Sequence, residues 1–135
     1  MNRPTRILLL TVFLTCAWAE PAASWRGKTA EGRALTISVT DGSVTSVALN
    51  VAVSCVTAVD EGMKVFSGSA VAISGSSMRF NGQAESLCGA IQLRLDGTID
   101  GNSASGNVTV TPPKLADNPA KKKVAWKADR EAVTR

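Results

Sequence analysis

The chain has 135 residues, a length that suits one domain, and it carries fifteen Lys and Arg against eleven Asp and Glu, a formal net charge of +4. It contains no His, so a Cys–His nucleophile, a Ser–His–Asp triad and an imidazole-bearing zinc site cannot be built from it. Three Trp, three Phe and no Tyr are too few for the aromatic interleaving on which single-stranded nucleic-acid binding rests.

Residues 1–19 read as a secretory signal. Arg3 and Arg6 precede the apolar run from Ile7 to Leu14, and Ala17-Trp18-Ala19 sets small residues where a signal peptidase reads them. Cleavage is expected after Ala19. The run is shorter than the about 20 apolar residues of a membrane span, so no transmembrane segment is expected in the mature chain. A competing reading acylates Cys16, but Phe13-Leu14-Thr15 lacks the Gly or Ala such sites favour just before the Cys. Fifteen basic residues less Arg3 and Arg6 leave thirteen against eleven acidic, a net +2. That field is too weak to argue for nucleic acid or an anionic membrane. A secreted or periplasmic location is expected.

The mature chain keeps two cysteines, Cys55 and Cys88. An even pair in an exported chain predicts one disulfide. The rival is a Cys-based catalytic or metal site, which the lack of His strips of its usual partners.

Residues 20–130 read as one all-β domain, with no helix-period apolar spacing sustained over three turns. A first strand is expected near Ser24 to Lys28. In "RALTISVT", Leu35, Ile37 and Val39 alternate with Thr36, Ser38 and Thr40. Asp41-Gly42 follows, the dipeptide of a two-residue hairpin turn. In "SVTSVALNVAVSC", Val47, Leu49, Val51, Val53 and Cys55 share one face, opposite Ser46, Ala48, Asn50, Ala52 and Ser54. That period-two pattern marks a half-buried antiparallel strand with Cys55 inward.

Later strands are expected at Met63 to Phe66 and Ala70 to Ser74, around a turn at Ser67-Gly68-Ser69. Met78 and Phe80 share a face, as do Ile91, Leu93 and Leu95, and Val108 and Val110. A last strand runs near Lys123 to Asp129, with Val124 and Trp126 inward and Lys127 outward. Eight or nine short strands with turn signals between them predict an antiparallel β-sandwich or a flattened up-and-down barrel. Thr111 to Lys123, with its prolines and lysines, reads as a loop, long enough to be functional or mobile. Residues 131–135 read as a frayed tail.

Trp25-Arg26-Gly27-Lys28-Thr29 and Glu31-Gly32-Arg33 precede an alternating strand, and a Cys ends the next one. Leu95-Asp96-Gly97-Thr98-Ile99-Asp100-Gly101, then Ala104-Ser105-Gly106 and a closing Trp126-Lys127-Ala128, complete a pattern over nearly the whole mature chain. It resembles a group of small exported bacterial β domains of uncharacterised function. The resemblance implies an all-β fold and an export route, and no catalytic residues. In those relatives the second Cys often lies nearer the closing strand. Here it is Cys88, so the bridge geometry does not carry over.

Each candidate site has a plain structural alternative. Asp96, Asp100 and Asn102 offer oxygen ligands, but the spacing is wrong for an EF-hand and no closing Glu follows. Hairpin punctuation is the expected role, and no metal or cofactor is expected. Lys114, Lys121, Lys122 and Lys123 could meet an acidic or phosphate-rich partner, or be solvated lysines that blunt a sheet edge. Trp25 and Trp126 could form a sugar-stacking platform. In a chain this poor in aromatics they are expected inside, packed together where the first and last strands meet. Asp60-Glu61 reads as an exposed turn rather than half of a glycosidase pair.

The functional expectation is a non-catalytic binding or envelope-accessory module with a protein or envelope partner. Two alternatives stand beside it: an inhibitor of a secreted hydrolase presenting the loop from Thr111 to Lys123, and a carrier of a small apolar ligand.

Overall fold

The computed structural model describes residues 23–131; the signal segment expected at 1–19 and all but the first residue of the tail expected at 131–135 lie outside the described residues. Eight strands follow one another: β1 (Ala23–Thr29), β2 (Ala34–Thr40), β3 (Ser43–Ser54), β4 (Val59–Ala72), β5 (Ser77–Ser86), β6 (Gly89–Asp100), β7 (Ser103–Thr111) and β8 (Lys122–Glu131). Each pairs antiparallel with its sequence neighbours, and β1 closes on β8. The fold is therefore a closed up-and-down barrel, not a sandwich. The closing seam runs from Ser24 opposite Glu131 to Thr29 opposite Trp126, and closure removes the free edges a small sheet would otherwise expose.

Alternation sets the inside. Trp25, Leu35, Ile37, Val47, Leu49, Val51, Val53, Phe66, Met78, Phe80, Ile91, Leu93, Leu95, Val108 and Trp126 are buried in one core. The outward positions of β1, β6, β7 and β8 carry Arg26, Lys28, Gln92, Arg94, Ser105, Thr109, Lys123 and Lys127. A membrane-spanning barrel has the opposite arrangement, an apolar band outside and a polar lumen. Among the described residues no helix is long and apolar enough to cross a membrane.

Two irregularities depart from simple alternation. Counting back from Val47 puts Val44 on the outer face, yet Val44 is fully buried. The cause is a bulge at Thr45: the register with β2 steps from Ser38–Ser46 to Val39–Val44, and one extra residue turns the strand over. On the other side of β3 the register steps from Ser46–Ser67 to Val44–Val71. Ser67-Gly68-Ser69 is thus no turn. The two strands expected on either side of it are one fourteen-residue strand, β4. Gly68 lies where β4 crosses the backbone of Asn81 and Gly82 so closely that a side chain has no room. The glycine marks a close approach.

The two ends of the barrel differ. At one end, Asp41-Gly42 joins β2 to β3 with φ values of 52° and 74°, as a type I′ turn requires. Gly101-Asn102 joins β6 to β7, and Ile73–Ser76 joins β4 to β5 around a Ser74–Ser77 bridge. The other end holds the connections β1–β2, β3–β4, β5–β6 and the ten-residue strap from Pro112 to Lys121. The strap is shorter than the expected loop, because β8 already begins at Lys122 and β7 runs through Thr111. At the far end β8 extends through Glu131, whose carboxylate takes a 2.8 Å ion pair from Arg26.

Trp25 and Trp126 are both buried, as alternation on the closing strands predicts. They are not level with each other: Trp25 lies opposite Arg130, and Trp126 opposite Thr29. Trp126 instead lies over Gly97. One row of the barrel runs Gly97, Gly106, Trp126, Thr29 across β6, β7, β8 and β1. The indole fills the space a side chain at Gly97 would need, an aromatic covering bare backbone. Its Nε1 is buried without a hydrogen-bond partner.

Candidate functional site

The irregular end is built around the disulfide. Cys55 and Cys88 are bonded, with their Cα atoms 5.9 Å apart. Cys55 ends the inward face of β3, and Cys88 sits in the β5–β6 connection, so the bridge ties two turns across the barrel mouth. A disulfide is compatible with an oxidising, extracytoplasmic environment.

The strap is pinned to the same place. Ala116 pairs with Cys55, and the Asp117 N–H donates to the Ser54 carbonyl at 2.8 Å. The Ser54 hydroxyl also donates to the Asp117 carboxylate at 3.2 Å. Pro113 is buried over Gly89, and the Ala116 N–H donates to its carbonyl at 3.0 Å. Lys114 and Leu115 are therefore the two central residues of a turn held on both sides.

Three large apolar side chains stand out from this end: Val56, Leu115 and Leu87, exposed to 82%, 73% and 70%. No other large apolar side chain among the described residues is as exposed. Each adjoins the disulfide cluster, since Val56 follows Cys55, Leu87 precedes Cys88, and Leu115 precedes Ala116. Singly exposed apolar residues are ordinary; here the three most exposed stand on separate connections of the same end. Sequence reasoning missed this trio because each residue sits alone in its own connection. Only the cysteine pairing, which was predicted, could have drawn two of them together.

Beside the strap lies a cleft of about 260 Å³. Leu49, Val51, Val53, Val110 and Val124 give it apolar walls, and Arg33, Glu31 and Lys122 stand on its rim. The rim charges are matched. The Arg33 guanidinium donates to Asn50 Oδ1 at 2.6 Å and lies 3.4 Å from Glu61, and Lys122 pairs with Glu31 at 2.6 Å. Thr29 is buried below, its hydroxyl accepting the Glu31 and Arg33 N–H groups and shaping the β1–β2 turn.

The four lysines stand on the strap and the first two positions of β8. Lys114 is on the turn and Lys121 ends the strap. Lys122 is occupied by Glu31, and Lys123 sits on the outer face of β8 opposite Thr109. The β1–β8 ladder ends at Thr29–Trp126, so Lys122 and Lys123 are paired with β7 alone, on the stretch of β8 that β1 does not cover.

The acidic candidates also have structural partners. Asp96 projects from the β6 ladder between Arg79 (3.7 Å) and Arg94 (3.2 Å). Asp100 pairs across the hairpin with Ser103, and Asn102 is in the turn itself. No three metal-ligating side chains gather among the described residues. Asp60 and Glu61 lie within β4 rather than in a turn. Asp60 faces inward, half-buried, where Lys64 Nζ and the Leu87 N–H each donate to its Oδ2 at 2.9 Å. Those two bonds, Lys64 first, hold its carboxyl below the usual aspartate range. Asp60 thus fastens the β5–β6 connection to β4.

The chain matches no family model, no curated protein and no solved structure. Its functional reading rests on its own geometry.

Proposed function

We propose that this protein is an exported, non-catalytic binding module that meets its partner with the strapped end of the barrel. The observation that carries the reading is the asymmetry of the ends. One end closes in short connections. The other gathers the disulfide, the pinned strap, the apolar cleft and the exposed Val56, Leu87 and Leu115. Convex apolar residues on rigid connections suit a protein surface with complementary hollows.

The inhibitor reading is the second choice. Its support is the fixed Pro113–Ala116 turn, which offers Lys114 and Leu115 to a concave site. The carrier reading ranks behind both. The barrel interior is filled by Trp126, Phe66 and Phe80, and the cleft falls below the roughly 300–1,000 Å³ of drug-sized ligand pockets.

The test is crosslinking capture from the periplasm or culture medium. It compares the parent protein with a Val56→Asp, Leu87→Asp, Leu115→Asp triple variant and with an Asn102→Asp control at the opposite end. The reading expects a discrete partner retained by the control and lost by the triple variant. Equal capture by all three proteins refutes it.

A further inference from the structure

β2 is short, and its shortness opens a gap in the barrel wall. Its ladder with β3 stops where Leu35 faces Leu49, while β3 continues to Ser54 and Cys55. Above Leu49, the backbone partners that this edge of β3 meets next among the described residues are Ala116 and Asp117 of the strap, at the top.

The ladder pattern shows which backbone groups face the gap. Cys55 exchanges both backbone bonds with Ala58, at 2.8 and 3.3 Å. Antiparallel strands alternate between such pairs and pairs whose N–H and C=O point away. The register continues regularly through Ser54–Val59, Val53–Asp60, Ala52–Glu61 and Val51–Gly62. Val53 and Val51 therefore bond toward β4, and Ser54 and Ala52 aim their amides and carbonyls into the gap. The Ser54 carbonyl is taken there by Asp117. The Ser54 N–H and both backbone groups of Ala52 have no backbone partner on that side among the described residues. The apolar cleft lies along this same edge, since its lining includes each residue from Leu49 to Ser54.

We propose that this slot binds an extended peptide segment of a partner protein, added as a short strand on the open edge of β3. The inference rests on the binding-module reading and names the ligand class of that site. The segment runs antiparallel to β3, in line with β2. Its central residue lies opposite Ala52 and exchanges two backbone bonds with it, the mode of strand addition. The residues before and after it face Val53 and Val51, and their side chains enter the cleft. A space of about 260 Å³ takes two aliphatic side chains. The segment is uncharged at these positions, because Arg33 and Lys122 on the rim already have acidic partners.

The test is an amide NMR titration of the oxidised protein with the capped tripeptide acetyl-Leu-Thr-Val-amide. The proposal expects saturable shifts at the Ala52 and Ser54 signals. The same peptide N-methylated at Thr lacks the donor to the Ala52 carbonyl and should bind about tenfold more weakly or worse. On the protein side, Ala52→Pro removes only an N–H that points away from β4, which the β3–β4 ladder tolerates. That variant should lose the peptide while Ala52→Ser keeps it. Absence of saturable shifts at Ala52 and Ser54 overturns the proposal, and so does equal binding of the N-methylated peptide. The N-methylated peptide decides the matter even if Ala52→Pro fails to fold. Capture that depends on Val56, Leu87 and Leu115, with no response to peptide at the slot, sinks this inference and leaves the binding-module reading standing.

Discussion

Gly97 tests whether Trp126 is held in place by bare backbone. Its φ is not in the left-handed region, so alanine suits its backbone. What opposes the substitution is packing: a Cβ at Gly97 would lie 2.5 Å from Cζ2 and 2.9 Å from Cη2 of Trp126. Carbon atoms prefer about 3.5–4.0 Å, so the indole must retreat by about 1 Å. Trp126 is only 1% exposed, and a packed core resists such a shift at a cost of about 1–3 kcal/mol. Replacing glycine by alanine returns about 0.4–1 kcal/mol through the unfolded chain. The net expectation for Gly97→Ala is a loss of about 1.3 kcal/mol, within a range of about 0–2.6 kcal/mol. Trp126→Phe removes the outer indole carbons and the unpartnered Nε1. In that background the remaining close neighbour is the Ser105 carbonyl at 3.0 Å, and the loss should shrink to a few tenths of a kcal/mol. The assay is equilibrium urea unfolding of the four proteins of the cycle, disulfide intact, followed by far-ultraviolet circular dichroism. The cycle cancels the cost of Trp126→Phe itself. An equal loss in both backgrounds, or no loss in either, refutes the packing argument.

Three further outcomes follow from the same geometry. Replacing both Cys55 and Cys88 by Ala opens a link between residues 33 apart in sequence, which chain entropy values at about 3.5–4 kcal/mol; an unchanged urea midpoint would contradict it. The Asp60 carboxyl is held below its unfolded value by Lys64 and by the Leu87 N–H, so its contribution is present above about pH 4, the unfolded carboxylate value. It fades as pH falls through the lower folded value; the stability gap between parent and Asp60→Asn should therefore narrow on acidification, and a gap that widens refutes the assignment. Calcium should leave the melting temperature unchanged in the parent and in an Asp96→Asn, Asp100→Asn variant. Asp96 is already engaged by two exposed arginines, whose loss costs at most about 1 kcal/mol, and a calcium-dependent rise in the parent would mean a site has been overlooked.

Local periodicity carried most of the architecture. The inward sets of β2, β3 and β6 are single-strand properties, and so is the Asp41-Gly42 turn, because two adjacent residues must both take positive φ. The disulfide was legible for a different reason: with two cysteines expected in the mature chain there is one pairing to make. Features that depend on neighbours were not legible. Glycine has two structural uses, and at Gly68 the deciding fact is the backbone of Asn81 and Gly82 beneath it, which no local pattern encodes. Val44 is inward because Thr45 bulges against both flanking strands, a register event that single-strand alternation cannot express. Closure itself is a property of residues as far apart as Trp25 and Arg130.

The candidate site lies at the limit of that logic. Val56, Leu87 and Leu115 reach one end on three separate connections, and the slot exists because β2 ends before β3 does. In the proposed reading, the mismatch in strand length is what links fold to function. A closed barrel satisfies nearly all of its backbone through its ladders and leaves little for a partner to bind in extended form. Where one wall strand stops early, the neighbouring strand keeps a few unsatisfied groups next to apolar walls. On the strand-addition proposal, those groups on β3 are where a partner's extended segment would complete the ladder that β2 leaves short.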